Sequence, residues 1–102
     1  MTLEEWAARL DELAAGEGVA TPPHARRDDG NPSWTAGGRS AWVRIAEDDA
    51  TLRAFFVPRD PADPAVPDEE RSHEKTYVRS DAGAREAARD IARFLAGTRS
   101  TA

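Results

Sequence analysis

Residues 40–57 read SAWVRIAEDDATLRAFFV, and this stretch decides the fold. In two parts of it, every second residue is a small or aliphatic residue or a phenylalanine that suits a core, and the positions between carry aromatics and arginines. This period of two is typical of β-strands. We predict strands at about 40–46 and 51–57 from this alternation. The polar connector 47–50 has the length of a short hairpin loop, so the two strands are predicted to pair as an antiparallel hairpin.

One register of this hairpin gives a consistent pattern on both faces. With Ile45 opposite Leu52, the apolar side chains of both strands share the face that turns towards the core. Because residues two apart on a strand point to the same side, the other face receives one aromatic residue and one arginine from each strand. These residues form the cross-strand pairs Trp42–Phe55 and Arg44–Arg53.

The same spacing of one aromatic residue and one arginine recurs at Tyr77 and Arg79. We predict a third strand at about 74–79 with these two residues on the face away from the core, here termed the open face. If this strand lies beside the second, the open face carries two rows. The rows are Trp42, Phe55 and Tyr77 for the aromatics, and Arg44, Arg53 and Arg79 for the arginines. Aligned arginines repel one another, so they call for an anion, nearby carboxylates or stacking on the aromatics.

Two helices are predicted to flank the strands. Thr2 and Glu5 have the spacing of a capping box at the start of the first helix, whose apolar stripe extends to Gly16. Asp81 is predicted to cap the second helix, which carries an alanine-rich stripe and ends at Gly97.

The order helix–strand–strand–strand–helix predicts an α+β fold, a three-stranded antiparallel sheet with both helices on one face. Residues 1–97 are predicted to form a single domain, and the tail 98–102 is expected to fray. Two long loops are expected inside the domain, at 17–38 and at 58–73.

The predicted loops contain the features that are hardest to assign. Trp34 is expected to pin the 17–38 loop to the body of the domain by burial, with ligand contact as the alternative. In one interpretation this loop folds over the open face. Prolines at every third position of the 58–73 loop favour an extended spacer, and a ligand for an aromatic groove is the alternative.

Composition limits the classes of function. The chain has 102 residues, no cysteine and a formal net charge of −5. The lack of cysteine excludes disulfides, thiolate catalysis and cysteine-ligated zinc, and it favours the cytoplasm. The negative charge disfavours non-specific binding to nucleic acid or to an anionic membrane. An acidic N-terminal segment and the lack of a long apolar run predict neither a signal peptide nor a membrane helix.

Metal and cofactor sites find little support in the sequence. The two histidines, His24 and His73, lie in predicted loops and have no clear co-ligands. The segment Gly37-Gly38-Arg39-Ser40 leads into a strand, so it lacks the helix N-terminus on which a phosphate-binding loop depends. We therefore predict no metal and no cofactor.

The predicted element order is similar to that of the double-stranded RNA-binding domain. In that family the last helix begins with basic residues, and Arg85, Arg89 and Arg93 lie along one stripe of the last helix here. The family's lysine pair at the start of this helix is absent, since the positions read Asp81-Ala82-Gly83-Ala84. The resemblance is one of topology, and fold order alone does not imply function.

The first functional hypothesis is a small non-enzymatic binding domain whose open face contacts a protein partner or a second copy of the chain. Its aromatics would anchor the partner and its arginines would select an acidic complement. The alternative is an anionic small molecule or RNA bound on the same face. A third hypothesis is an enzyme with the 17–38 loop as a lid and His24 as an acid or base. The candidate binding residues are Trp42, Arg44, Arg53, Phe55, Tyr77, Arg79 and Trp34, and no catalytic residue is assigned.

Overall fold

The computed structural model describes residues 1–16, 21–46 and 48–97. Within these ranges the chain forms two α-helices, five β-strands and one 3-10 turn. In chain order the elements are α1 (Leu3–Ala15), β1 (Ala25–Arg26), β2 (Pro32–Ala36), β3 (Arg39–Ile45), β4 (Thr51–Val57), the 3-10 turn (Glu69–Arg71), β5 (His73–Val78) and α2 (Asp81–Leu95). Neighbouring strands are antiparallel in the order β1-β2-β3-β4-β5, so the sheet is a meander.

Both helices pack on the same face of the sheet. Trp6 and Leu10 of α1 are fully buried in one cluster with the alanine-rich stripe of α2 and the inward side chains of the strands. Burial of a large apolar side chain stabilises a fold by about 1.5–3 kcal/mol. The small alanines of α2 allow close contact with α1, so the helices also pack against each other.

The two helices begin differently. The predicted capping box is present in α1, where the Thr2 side chain accepts from the backbone of Glu5 and Glu5 accepts from the backbone of Thr2. The predicted cap of α2 is wrong by one residue, because Ser80 occupies that position and makes no side-chain capping bond. Asp81 instead pairs with Arg9 and thereby links the first turn of α2 to α1.

The predicted hairpin is confirmed in its register. Ile45 lies opposite Leu52, and the open-face pairs Trp42–Phe55 and Arg44–Arg53 are both present. This register could be predicted because alternate residues of β4 are buried. A shift of one position would turn its apolar side chains out of the core.

The predicted three-stranded sheet is wrong, because the sheet has five strands. The additional strands β1 and β2 come from the segment predicted as the 17–38 loop, of which residues 17–20 lie outside the described residues. β2 pairs with β3 across Gly37 and Gly38, which both have positive φ angles, 59° and 79°. Two such residues form the tight turn whose twist matches a β-hairpin. A glycine pair flanked by the alternating residues of β2 was therefore a hairpin signal and not a sign of irregular structure.

The predicted phase of the last strand is also wrong. Tyr77 lies opposite Leu52 and is only 2 % exposed on the core face, whereas Val78 is 56 % exposed. The Tyr77 ring lies 6.3 Å from the ring of Trp6, and its hydroxyl donates to Asp90 at 2.7 Å. A buried tyrosine needs a partner for its hydroxyl, and α2 supplies one only on this side of the sheet.

The proline-rich segment does not form the predicted extended spacer. It closes on itself, with the backbone N–H of Asp60 donating to Val66 and that of Asp68 donating to Pro58. Arg59 and Pro67 form an isolated β-bridge at the neck of this loop. The segment between β4 and β5 is therefore a folded-back loop that ends in the 3-10 turn.

The described residues are packed into a small body. The radius of gyration is 12.7 Å, close to the roughly 13 Å expected of a compact chain of about 100 residues. No helix in the described ranges is both long enough and apolar enough to cross a bilayer. The expected fraying of 98–102 concerns residues that lie outside the described part of the chain.

Candidate functional site

The centre of the open face is an aromatic pair from β3 and β4. The rings of Trp42 and Phe55 are stacked, with centroids 4.2 Å apart and planes inclined by 12°. Their positions follow from the hairpin register, which places the two residues directly opposite each other. Both rings remain half-buried, because the helices lie on the other side of the sheet.

Two guanidinium groups extend this pair. The Arg27 guanidinium carbon lies 3.8 Å from the centroid of the Trp42 ring, and that of Arg44 lies 5.5 Å from the centroid of Phe55. Arg27 and Phe55 are both too close to the indole to share one side of it, so they occupy its opposite sides. We term the group Arg27, Trp42, Phe55 and Arg44 the aromatic–arginine stack. Each such cation–π contact stabilises a partly exposed site by about 0.5–1 kcal/mol.

The positive charge of the open face is only weakly compensated. Arg44 lies directly opposite Arg53 on the neighbouring strand. Arg53 has Glu74 at 3.8 Å and Arg27 has Asp29 at 3.6 Å, and both are long contacts with a solvent-exposed carboxylate, of the kind that contributes little. Among the described carboxylates, none lies within ion-pair distance of Arg44. Among the described residues, the open face therefore presents more arginine than carboxylate charge, on a molecule of negative net charge.

The structure divides the predicted binding residues into two groups. Trp42, Phe55, Arg44 and Arg53 come together on the open face as expected. Three others do not join them, and these are Trp34, Tyr77 and Arg79. Trp34 and Tyr77 are buried on the helix side. Arg79 follows the end of β5, where its backbone N–H donates to the Ala50 carbonyl.

Two charged residues of the open face were missed, one before β2 and one on β5. Arg27 follows β1 and reaches Trp42 because the tight turn at Gly30, whose φ is 85°, folds β1 back along β2. The Asp29-Gly30 pair is a turn signal that could have revealed this hairpin. Glu74 lies opposite Phe55 and was missed because β5 was placed in the wrong phase.

A second polar cluster lies on the helix side of the sheet edge. The two nitrogens of the His24 ring contact two carboxylates of α1, with Nδ1 at 2.6 Å from Asp11 and Nε2 at 3.1 Å from Glu4. Asp11 also accepts from the Trp34 indole at 2.7 Å and from the His24 backbone at 3.1 Å. We term His24, Asp11 and Glu4 the histidine clamp, because it fastens the chain before β1 onto α1.

The clamp defines the charge state of His24. A carboxylate only accepts hydrogen bonds, so both ring nitrogens must donate, which requires the protonated imidazolium. Burial alone would lower the pKa of His24, but the hydrogen bonds to Asp11 and Glu4 outweigh it and raise that pKa. In this protonated state both ring N–H groups are engaged by carboxylates of α1. Part of the segment that was predicted as a lid forms β1 and β2, and the enzyme hypothesis stays a prediction.

The clamp predicts a pH-dependent stability. Because the folded pKa of His24 lies above its ordinary value near 6.5, the clamp contributes fully below that pH and is lost as pH rises through the folded pKa. Urea unfolding from pH 5.5 to 9 is therefore expected to show a free-energy gap between the wild type and His24→Gln that shrinks with rising pH. A gap that stays constant over this range would contradict the assignment.

A third cluster ties the edge strand β5 to α2. Lys75 and the Tyr77 hydroxyl both donate to the same oxygen of Asp90, at 2.7 Å each, and Lys75 also pairs with Glu86 at 3.0 Å. Burial and the bond to Asp90 raise the pKa of Tyr77, and the bond to Asp90 raises that of Lys75. Both groups therefore stay protonated as donors, which suits a structural link. A lysine on an outer strand also discourages pairing with a further strand.

Neither metal ligation nor likeness to a known protein assigns a function. In residues 1–16, 21–46 and 48–97, no three histidine or carboxylate side chains are arranged to hold a metal ion. Comparisons with protein-family models, curated proteins and solved structures found no match to this chain. The function is therefore inferred from the side chains described above.

Proposed function

We propose that this protein is a small binding domain that associates with an acidic protein surface through its open face. The observation that carries this proposal is the aromatic–arginine stack, half-buried on the sheet face opposite both helices. Stacked aromatics and arginines are the residue types most enriched at the energetic centres of protein interfaces. We also propose a cytoplasmic location, from the cysteine-free sequence.

The chemistry of the partner follows from charge. Arg44 has no carboxylate at ion-pair distance in the described structure, and Arg53 has only the long contact to Glu74. A partner that brings carboxylates beside an apolar side chain would relieve the repulsion between these arginines and cover the rings. Such complementarity acts mainly on specificity and association rate, so binding should weaken as salt is added.

A peptide-display selection tests the chemical class of the partner directly, since a random library holds acidic, basic and uncharged peptides alike. We expect peptides selected on the wild-type protein to be rich in aspartate and glutamate next to aromatic or aliphatic residues. Their affinity for Arg44→Ala should fall about tenfold or more, the loss typical of an interface arginine at a hot spot. Arg89→Ala removes an exposed arginine from the middle of α2 and serves as the matched control.

Two outcomes would contradict the proposal. One is equal affinity of the selected peptides for the wild type and for Arg44→Ala, with both folded by circular dichroism. The other is a selection that yields basic or uncharged peptides. Sedimentation of the wild type and of Phe55→Ala shows whether a second copy of the chain is the partner, because self-association through this face would then be lost in the variant.

Nucleic acid or another anion is the second candidate, and the half-buried stack is the observation that favours it. Bases of single-stranded nucleic acid stack on aromatic side chains beside arginines, with little dependence on sequence. The net charge of −5 opposes this candidate, since it repels a polyanion at long range. Titration with nucleotides and short RNAs at low salt, followed by the Trp42 indole resonance, distinguishes the two candidates.

A further inference from the structure

The histidine clamp and the aromatic–arginine stack lie at the two ends of one short segment. His24 contacts α1 on the helix side of the sheet. Arg27, three residues later, contacts Trp42 on the open face. Between them lies β1, whose Arg26 also pairs with Glu4 of α1 at 3.3 Å. The segment 24–27 thus crosses the edge of the sheet and touches both of its faces.

The backbone pairing between β1 and β2 holds the segment 24–27 only weakly. β1 pairs with β2 through two residue pairs, Ala25–Ser33 and Arg26–Pro32, and has no strand on its other side within the described sheet. The N–H of Arg27 adds one bond to the Asn31 carbonyl at 2.8 Å. Short edge elements open at low free-energy cost, so the contacts of 24–27 with α1 have a large share in holding it.

One of the contacts with α1, that between the His24 Nε2 and Glu4, depends on the second proton of the imidazole ring. Among the described residues, the charged or polar groups that face His24 are Glu4 and Asp11 from α1 and the Trp34 indole from β2, with Arg26 nearby through Glu4. A neutral histidine keeps a single N–H. The shorter and less exposed contact to Asp11 is the one it would retain, which leaves the Nε2 lone pair facing the carboxylate of Glu4.

We infer that protonation of His24 holds Arg27 against Trp42, so that loss of this proton loosens β1 and uncovers one side of the indole. The side chains exposed on the open face would then change over the pH range in which His24 titrates. As a statement about regulated binding it rests on the function proposed above, whereas the movement itself is a property of the free protein.

The test follows the free protein by nuclear magnetic resonance. We expect the Arg27 side-chain N–H and the Trp42 indole N–H to shift with the titration midpoint of the His24 ring. Cross-relaxation between Arg27 and Trp42 should weaken above that midpoint. Amide protection of Arg27, corrected for the intrinsic pH dependence of exchange, should fall roughly two- to fivefold, the factor expected for loss of one exposed ion pair.

Variants separate this coupling from other causes. In His24→Gln the Arg27 and Trp42 signals should no longer titrate in this range, whereas in the matched control His73→Gln they should titrate as in the wild type. Glu4→Gln changes a side chain that is 57 % exposed, so it leaves the fold intact and should lower the midpoints of His24 and Trp42 together. If His24→Gln does not fold, the shift of both titration midpoints in Glu4→Gln tests the coupling between His24 and Trp42.

Three results would overturn the inference. The Trp42 and Arg27 resonances could titrate unchanged in His24→Gln, or their titration could be lost in His73→Gln. In Glu4→Gln, the titration midpoint could shift at His24 and not at Trp42. The binding proposal fails by a different route, through unchanged peptide affinity in Arg44→Ala. Because the resonance test uses no partner, the two failures are distinguishable.

Discussion

Trp34→Ala is expected to lower the free energy of unfolding by about 3–5 kcal/mol, the usual cost of deleting a buried tryptophan side chain. Trp34 is fully buried on the helix side of β2, and its indole donates to Asp11 at 2.7 Å. Its loss would open a cavity under β2 and remove a donor from a carboxylate that also holds His24. Domains of this size are stable by only about 5–15 kcal/mol in total, so the variant should be close to unfolding.

Urea unfolding measures this effect, and two controls identify its source. Trp34→Phe keeps most of the apolar bulk and removes the indole N–H, so it should cost clearly less than Trp34→Ala. Trp42→Ala deletes a tryptophan that is half-buried on the open face, and it too should cost less. If Trp42→Ala proves the more destabilising, the assignment of Trp34 to the core is wrong.

The strands with a clear alternation of apolar and other residues were predicted from the sequence, and the strand next to proline and glycine was not. The β3–β4 hairpin was readable because its register is fixed twice, by apolar residues on one face and by aromatics and arginines on the other. β2 was missed because it begins at a proline and is followed by two glycines, residues that usually interrupt a strand. In the structure Pro32 is buried at the start of the strand, and the glycines after it form the turn.

The phase of β5 shows a limit of strand patterns. Tyr77 and Val78 are both good strand residues, and either of them fits a half-buried sheet position. The choice depends on Asp90, thirteen residues later on α2, which accepts the Tyr77 hydroxyl. A contact of this kind between distant elements leaves no mark on the local alternation, so Tyr77 was assigned to the wrong face.

The residues of the candidate site that belong to the β3–β4 hairpin were predicted correctly. The residues that other strands bring to the open face were missed. Trp42, Phe55, Arg44 and Arg53 face outwards because β3 and β4 alternate. The position of Arg27 depends on β1, a strand of two residues whose pattern is too short to detect. On one side the open face therefore includes Arg27, which the sequence did not indicate, and beside Phe55 it carries Glu74 instead of Tyr77.

Gly83→Ala is expected to destabilise the protein by about 3 kcal/mol, as overpacking against backbone does. Helix propensity alone predicts the opposite sign, because alanine is better than glycine inside a helix by about 1 kcal/mol. In the structure Gly83 is buried in the first turns of α2, where a Cβ would overlap the carbonyl oxygen of Val78 and lie 2.8 Å from its carbonyl carbon.

The position of the Val78 carbonyl is constrained from several directions, which is why it cannot move aside. It accepts from the Trp6 indole at 3.2 Å and from the backbone N–H of Ser80 at 2.9 Å. Three elements thus meet at this carbonyl: α1 through Trp6, the end of β5, and α2 through Gly83. A methyl group added at Gly83 would separate α2 from β5 and weaken the indole bond, so the loss should exceed any gain in propensity.

Thermal and urea unfolding of Gly83→Ala, with Ala82→Gly as the local control, show whether the substitution lowers or raises the free energy of unfolding. Ala82 is exposed in the same turn, so its change to glycine tests propensity without a clash and should cost less than about 1 kcal/mol. A stabilised Gly83→Ala would mean that α2 does not approach the end of β5 as closely as described. A destabilised one, with the Trp6 indole resonance shifted, would establish Gly83 as the residue that lets α2 close over the core beneath the open face.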